Sequence, residues 1–495
     1  MKSATSLSRG LRTRQLSGYV CNNCTSHVRR RYRAYATTTT HPEIYDVICV
    51  GGGPAGLSLL AALRANPTTR NLKIALIESQ DLSKIRSWSM PPGQFSNRCS
   101  SLTPSSVRFL DRIGAWSKVK RDRVQEYEEM QVWDGISGAR IGFDWMGAVQ
   151  NGDSQERTIA YMNENANLTR GLLERIEELG DVKIYAGQKV GGIELGEETE
   201  TSDLRSWPVV QLDDGRKMAA RLLVGADGQN SPVRTFAGIE SRGWDYDRHG
   251  VVATLRLKGG PSQHKTAYQR FLPTGPVAML PMPEGFSTLV WSTTPDLAAK
   301  LKKLSSKDFV ALVNAAFRLS PVDLAYMQTI DEGQVDELSW REQHTPCDGQ
   351  HLPQYAIDVQ EGSVASFPLK MRHADTYIGE RVALVGDAAH TIHPLAGQGL
   401  NQGQGDVEAL VKNIEYSVEH GMDIGTRMSL EGYNAERYTQ NHVLLGVCDK
   451  LHKLYALQSN PVVGLRSIGL KVVDSMTPVK QFFMRQAAGQ GAKIL

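Results

Sequence analysis

The sequence predicts an α/β fold carrying a Rossmann-like nucleotide-binding domain. Three observations predict it. An apolar run, Ile44 to Val50, leads into Gly51-Gly52-Gly53-Pro54-Ala55-Gly56 and a helix-like stretch from Leu57 to Leu63. A second, Leu222 to Val224, ends in Gly225-Ala226-Asp227-Gly228. A third, Arg381 to Val385, opens into Gly386-Asp387-Ala388-Ala389-His390-Thr391-Ile392-His393-Pro394-Leu395-Ala396-Gly397-Gln398-Gly399, with a helical pattern from near Leu400. In each, a buried strand stops at small residues that let backbone approach a ligand.

At 495 residues the chain is long enough for two or three domains. Its composition, 41% hydrophobic and 22% charged, is that of an ordinary soluble globular protein. No uninterrupted apolar run is long enough to span a bilayer. Residues 1–42 hold Lys2, Arg9, Arg12, Arg14, Arg29, Arg30, Arg31 and Arg33 and no acid. Without those eight cations the formal +3 becomes about −5, so the body is weakly acidic and makes no case for nucleic acid. This Arg-, Ser- and Thr-rich start is expected to be a mitochondrial targeting segment, removed near Arg33-Ala34-Tyr35. Cys21 and Cys24 form a CxxC with no second pair to complete a zinc site. Cys49, Cys99, Cys347 and Cys448 are scattered, which suggests reduced thiols and no disulfide framework.

The first segment carries the full dinucleotide context. Gly51 serves the turn, Gly53 the approach to a pyrophosphate, and Gly56 the packing of helix on strand. A second strand, Leu72 to Ile77, ends in Glu78, about where a carboxylate meets adenosine ribose hydroxyls. Beyond it, Arg98 precedes Thr103-Pro104, a helix start with Pro at its first position. Nothing local separates a ligand-binding Arg98 from a solvated one. Glu126 to Trp145 alternates as a hairpin should around Gly135 to Gly138, and Asn167 to Glu178 reads as an amphipathic helix. Asp227 and Gly228 form a tight turn, and Ser231-Pro232 start the next helix. In the third segment Asp387 can only accept hydrogen bonds when ionised, which suits a polyol such as a ribityl chain. The helix start beyond it favours developing negative charge. His390 and His393 form an HxxH without a third ligand, so no metal is expected.

In this order and spacing, GxGxxG at 51–56, GADG…S.VR at 225–234 and GDAAH…P..GQG at 386–399 resemble the single-component FAD-dependent aromatic hydroxylases. Their fold is that of p-hydroxybenzoate hydroxylase. More closely, the chain is similar to the mitochondrial ubiquinone-biosynthesis flavin monooxygenases, through Ser96-Asn97-Arg98, Tyr268 to Pro281, Gln398 to Gly403 and the tail around Leu465 to Gln486. The resemblance covers roughly residues 43–490.

The resemblance implies a discontinuous FAD-binding domain, residues 43–125 with 155–236 and 367–440. A β-sheet substrate domain is inserted as 126–154 with 237–366, of which 325–362 look like an extension, and 441–495 form a C-terminal helical region. It implies that Gly51, Gly53 and Gly56 hold the FAD pyrophosphate and Glu78 the adenosine ribose. Arg98 is then near the ribityl and pyrophosphate region, Asp227 and Gly228 support the pyrophosphate side, and Asp387 binds the ribityl chain. Pro394, Gly397, Gln398 and Gly399 line the isoalloxazine ring. Alternation through Gln269 to Phe271 and Gly275 to Leu280 makes Gln269, Phe271, Gly275 and Pro276 candidate substrate contacts.

The implied reaction is hydroxylation at ring C5 of a polyprenylated 4-hydroxybenzoate-type precursor of ubiquinone, by O2 through a hydroperoxyflavin. Ferredoxin and its reductase are the expected electron donors, a biosynthetic complex the expected partner, and the matrix side of the inner mitochondrial membrane the expected location. No residue identifies itself as the general base. The alternatives are an FAD reductase or dehydrogenase of prenyl lipids, or a non-catalytic subunit that keeps FAD as structural support. At the C-terminus Leu465, Ile468, Val472 and Met476 share one helix face. This face is expected to pack on the protein's own core, the alternative being a membrane surface with Arg466, Lys471, Lys480 and Arg485 available to phosphates.

Overall fold

The computed structural model describes residues 41–144, 158–200, 202–259, 265–346, 351–393, 397–457 and 459–476. The two cysteines of the CxxC, Cys347, Trp145, Pro394, Lys480 and Arg485 lie outside them, as does the expected targeting segment up to residue 40.

The β-branched run at the start becomes the strand Glu43–Val50, an inner strand of an eight-stranded sheet. Lys217–Gly225 and Ile74–Glu78 pair parallel on its two sides. Val382–Leu384 extends the parallel array beyond Lys217–Gly225, and Val182–Ala186 beyond Ile74–Glu78. The chain therefore leaves its first strand to one side and returns on the other, which opens a crevice at the strands' carboxyl ends. Helices Pro54–Ala65, Asn165–Leu179 and Gln398–Glu419 cover this sheet, and their apolar faces join one core with it.

A nine-stranded, mostly antiparallel sheet stands beside it, ordered His390–Thr391, Ala365–Ala374, Ser241–Leu257, Phe286–Thr293, Gly275–Pro281, Thr266–Leu272, Glu129–Asp134 and Arg140–Asp144, with Ala356–Val359 paired to Ser241–Leu257. The hairpin around Gly135 to Gly138 forms as alternation requires. Its outer face is covered by Ser306–Arg318, Pro321–Met327 and Gln334–His344, so the 325–362 stretch is helical over much of its length. Residues 367–374 and the bridge His390–Thr391 pair within this second sheet, although the sequence assigns them to the nucleotide-binding part. A loop that leaves the first sheet thus ends as an edge of the second.

The long helix Arg427–Ala456 and the helix Asn460–Ser475 close the fold. The helix at the C-terminus forms as its periodicity predicts, but its stripe points the other way. Leu465 and Ile468 are 72% and 62% exposed. Leu470 and Val473 are the residues packed on the protein, against Val132, Ile141, Phe271 and Tyr455. Arg466 is buried, with Nε and Nη2 donating to Oδ2 and Oδ1 of Asp134 at 2.8 and 3.0 Å. It is unavailable to phosphates.

Candidate active site

The three sequence segments meet because their strands are neighbours in register. Val50 lies opposite Gly225, and Gly225 opposite Leu384. Three turns therefore leave the sheet side by side. Gly51 has φ +108°, and a Cβ there would meet the Ala226 carbonyl oxygen at 2.2 Å. A Cβ on Gly56 would lie 2.0 Å from the Gly51 oxygen. Both glycines are demanded by the protein's own packing. Gly53 differs: nothing lies within 4 Å of its missing Cβ, and it borders a cavity of about 1810 Å³. Its bareness serves something outside the protein.

Gly228 lines the same cavity, whereas Asp227 is not among its lining residues. Asp227 Oδ2 accepts from the Val233 amide at 3.4 Å, so it braces the start of helix Pro232–Phe236. Burial raises its carboxyl, opposed by Ser231. Glu78 also stays outside the cavity wall: its Oε2 accepts from the Gly52 amide at 2.5 Å and its Oε1 from the Gln80 amide at 2.7 Å. It sits against the first glycine turn.

Asp387 faces the cavity, flanked by protein, and burial raises its carboxyl. Helix Gln398–Glu419 begins two residues before Leu400. Its N-cap, Gly397, has φ +58° and supplies no side-chain cap, so first-turn N–H groups of Gln398, Gly399 and Leu400 stand at the cavity wall. Asn401 fixes that start. Its Oδ1 accepts from the Thr103 amide at 2.9 Å and its Nδ2 donates to the Ser101 carbonyl at 2.7 Å. The cavity-lining Arg98 makes no side-chain hydrogen bond or ion pair with the described residues.

Two buried devices that the sequence leaves unread hold these parts in place. Asp406, fully buried on helix Gln398–Glu419, accepts from the Gly386 amide at 3.1 Å, lies 2.6 Å from His390 Nε2, and accepts from Arg437 Nε at 3.0 Å and Asn441 Nδ2 at 2.9 Å. Against burial, the charges of His390 and Arg437 hold its carboxyl well below the usual carboxylate range. His390 therefore anchors the Asp387 turn. Glu164 does the same for Arg98: it accepts from the Ser96 amide at 2.6 Å and from Arg123 Nε at 2.5 Å. The signal for both was an acid inside an otherwise apolar helical or strand pattern, which sequence cannot tell from a solvated one.

His373 and His393 are buried beside these loops. Burial, with His390 and His442 nearby, pulls His373 down to about 4, and burial with His452 pulls His393 to about 3. Both imidazoles bind protons less readily folded than unfolded. Their contribution is complete above about pH 6.5 and is lost as pH falls from there toward 4. Global stability should fall by several kcal/mol over that interval, about 3 kcal/mol for each imidazole, and His373→Gln should flatten the slope in pH-dependent denaturant unfolding.

Of the candidate substrate contacts, Gln269 and Phe271 line the cavity, with Ala278, Leu280 and Val290 beside them. Gly275 and Pro276 do not. They form the end of the hairpin beyond the cavity, in a small crevice with Arg248 and His452, and Gly275 packs against the Ser292 carbonyl.

A bare glycine face, a carboxylate, a helix N-terminus and a guanidinium unpaired among the described residues, all around one crevice, fit the pyrophosphate, ribityl chain and ring of FAD. A sequence profile for the FAD binding domain matches residues 44–442. The architecture and this site define an FAD-dependent monooxygenase of the aromatic hydroxylase class. p-Nitrophenol 4-monooxygenase PnpA from Pseudomonas putida DLL-E4 shares the fold, with TM-score 0.64 at 18% identity over 91% of this chain and 100% of its own. PqsL from Pseudomonas aeruginosa shares it at TM-score 0.60 and 20% identity, over 84% of this chain and 97% of its own. The mitochondrial ubiquinone biosynthesis monooxygenases COQ6 of Saccharomyces cerevisiae and Homo sapiens are 41% and 35% identical to the chain. The matches cover 92% and 93% of this chain and 96% and 95% of theirs. The chain belongs to the ubiquinone biosynthesis monooxygenase family.

Proposed function

We propose that this protein hydroxylates C5 of the aromatic ring of a polyprenylated 4-hydroxybenzoate-type ubiquinone precursor. One observation carries the reading. The flavin-site turns and a long apolar space against the second sheet form one continuous cavity, so a ring beside the cofactor can have a greasy substituent extending away from it.

When bound, FAD supplies activation of O2 and transfer of one oxygen atom to the ring. The chain's own residues position the reactants. Gly53 and Gly228 admit the pyrophosphate, Glu78 takes the adenosine ribose, Arg98 approaches from the facing loop, and Asp387 accepts from ribityl hydroxyls. The N–H groups at Gln398 and Gly399 favour negative charge on the adjoining ring edge. Phe271, Leu280 and Val290 exclude water from the reacting face, and Gln269 offers an amide to the ring's polar substituents. Asp387→Ala should reduce product at least 100-fold with the melting temperature within a few degrees of wild type. Full retention of product formation would remove Asp387 from the site.

Ferredoxin with its reductase is the proposed electron donor. Anaerobic reduction followed spectrally should bleach the flavin with that pair and not with NADPH. The proposed setting is the matrix side of the inner mitochondrial membrane, within a biosynthetic complex. Among the described residues no helix is long and apolar enough to cross a membrane. Exposed Val443, Val447, Leu451 and Leu454 on the long helix, with Leu465 and Ile468, instead offer an apolar surface for peripheral contact, and Leu451, Leu454 and Leu465 also border the cavity.

A further inference from the structure

Three short strands, Cys99–Leu102, Ala160–Glu164 and Val124–Tyr127, form a small sheet of their own at the cavity wall. Ser101 pairs opposite Met162, and Tyr127 opposite Ala160. Met162 and Ala160 stand two positions apart on the middle strand, so all four side chains share one face. All four residues line the cavity. Across the middle strand the Tyr127 and Ser101 hydroxyl oxygens come within 2.9 Å of each other.

Packing does not account for the Tyr127 oxygen. Its ring is buried among Phe95, Ala160, Met162, Ala267 and Met282, where phenylalanine would serve as well. A hydroxyl has one proton to donate and lone pairs to accept. The bond between the two hydroxyls uses one proton, whichever group gives it. The other is unspent, since neither oxygen has a further partner among the described residues. Neighbouring hydroxyls of the wall are committed: Ser100 donates to Asn165 Oδ1 at 2.6 Å, and Thr103 caps the helix Pro104–Arg112. Burial, opposed by Ser101, raises the Tyr127 hydroxyl above its ordinary value, so it keeps its proton at neutral pH.

The pair is fixed at the ring end of the flavin site. Asn401 Nδ2 donates to the carbonyls of Ser101 and Gly397, at 2.7 and 3.2 Å. One amide thus clamps the Ser101 strand to the start of helix Gln398–Glu419. On the other side Met130 and Leu280, from strands of the second sheet, pack on the Tyr127 cluster and line the cavity. The hydroxyls therefore stand where the cofactor end of the cavity passes into the substrate end.

We propose that the Tyr127–Ser101 hydroxyl pair binds the ring hydroxyl of the substrate. The proposal rests on the 4-hydroxybenzoate-type substrate argued above. C5 is next to the carbon bearing that hydroxyl, so holding the oxygen beside the helix start holds C5 there too. Two linked hydroxyls accept from a phenol and donate to a phenolate without rearrangement.

The test uses the full-length holoprotein and two ligands that differ by one oxygen. One is a prenylated 4-hydroxybenzoate, the other the benzoate with the same prenyl chain and no ring hydroxyl. Binding is read as the shift of the oxidised flavin spectrum on titration, which needs no turnover. Wild type should hold the hydroxylated ligand about tenfold more tightly than the other. Tyr127→Phe keeps the ring and loses only the oxygen. It should erase most of that preference, with the affinity for the second ligand within about twofold of wild type. Ser101→Ala should erase part of it, and serves as the second variant if the first folds poorly. A wild type without preference, variants that weaken both ligands equally or neither, or no spectral shift with either ligand overturn the proposal. If the preference and its loss are both seen but no hydroxylated product forms, the reaction assignment fails and the hydroxyl site stands. If product forms in wild type while the preference survives Tyr127→Phe, the reaction assignment stands and the hydroxyl site fails.

Discussion

Asp406→Ala should destabilise the protein by about 3–5 kcal/mol and release its flavin, because it strands Arg437 in a buried site without its carboxylate. Four groups lose a partner at once: the Gly386 amide, His390, Arg437 and Asn441. An unpaired buried charge costs more than a lost neutral hydrogen bond. The Gly386 amide belongs to the turn that presents Asp387, so instability should come with lost cofactor affinity. Asp406→Asn keeps the shape and part of the bonding, and should lose less stability. Denaturant unfolding and flavin content per chain check both variants. A stability change under about 1 kcal/mol for the alanine variant would show that Asp406 does not organise the loop.

Gly53→Val should fold and fail to bind FAD, whereas Gly56→Val should not fold. The two glycines lie three residues apart in one motif, yet their surroundings differ. A side chain at Gly56 is forced onto the Gly51 backbone oxygen, which cannot retreat without opening the strand-to-helix turn. A side chain at Gly53 meets no protein and projects into the crevice. The expected loss of FAD affinity is about 100-fold, or roughly 2.7 kcal/mol. Titration of apoprotein with FAD, alongside the far-ultraviolet circular dichroism of each variant, separates the outcomes. Unchanged flavin occupancy in Gly53→Val would move the pyrophosphate away from this turn.

The three turns were legible in the sequence because their chemistry is local. Each is a strand end followed by small residues, with an acid close behind in the second and third and at the end of the next strand in the first, and no distant contact is needed to recognise it. That they stand side by side depends on the pairing of residues 50, 225 and 384, which no local pattern contains. Asp227 and Asp387 look alike in sequence, each after a glycine at the end of a strand. The structure separates them by direction, one toward a helix start and one into the cavity. Asp406 was hidden by its setting, since an acid on a helix is usually solvated and only packing against Arg437 shows otherwise. Helix Asn460–Ser475 gives a related lesson. It is apolar on two faces, so periodicity found a stripe at Leu465 and Ile468 while the packed stripe runs through Leu470 and Val473.

The most direct test of the central claim is isotopic. The purified holoprotein, reduced by ferredoxin and its reductase, would be given a polyprenylated 4-hydroxybenzoate under 18O2 and the product mass measured. Incorporation of one labelled oxygen into the ring is predicted. A dehydrogenated or reduced product without label, or flavin reoxidation that yields only hydrogen peroxide, would contradict it.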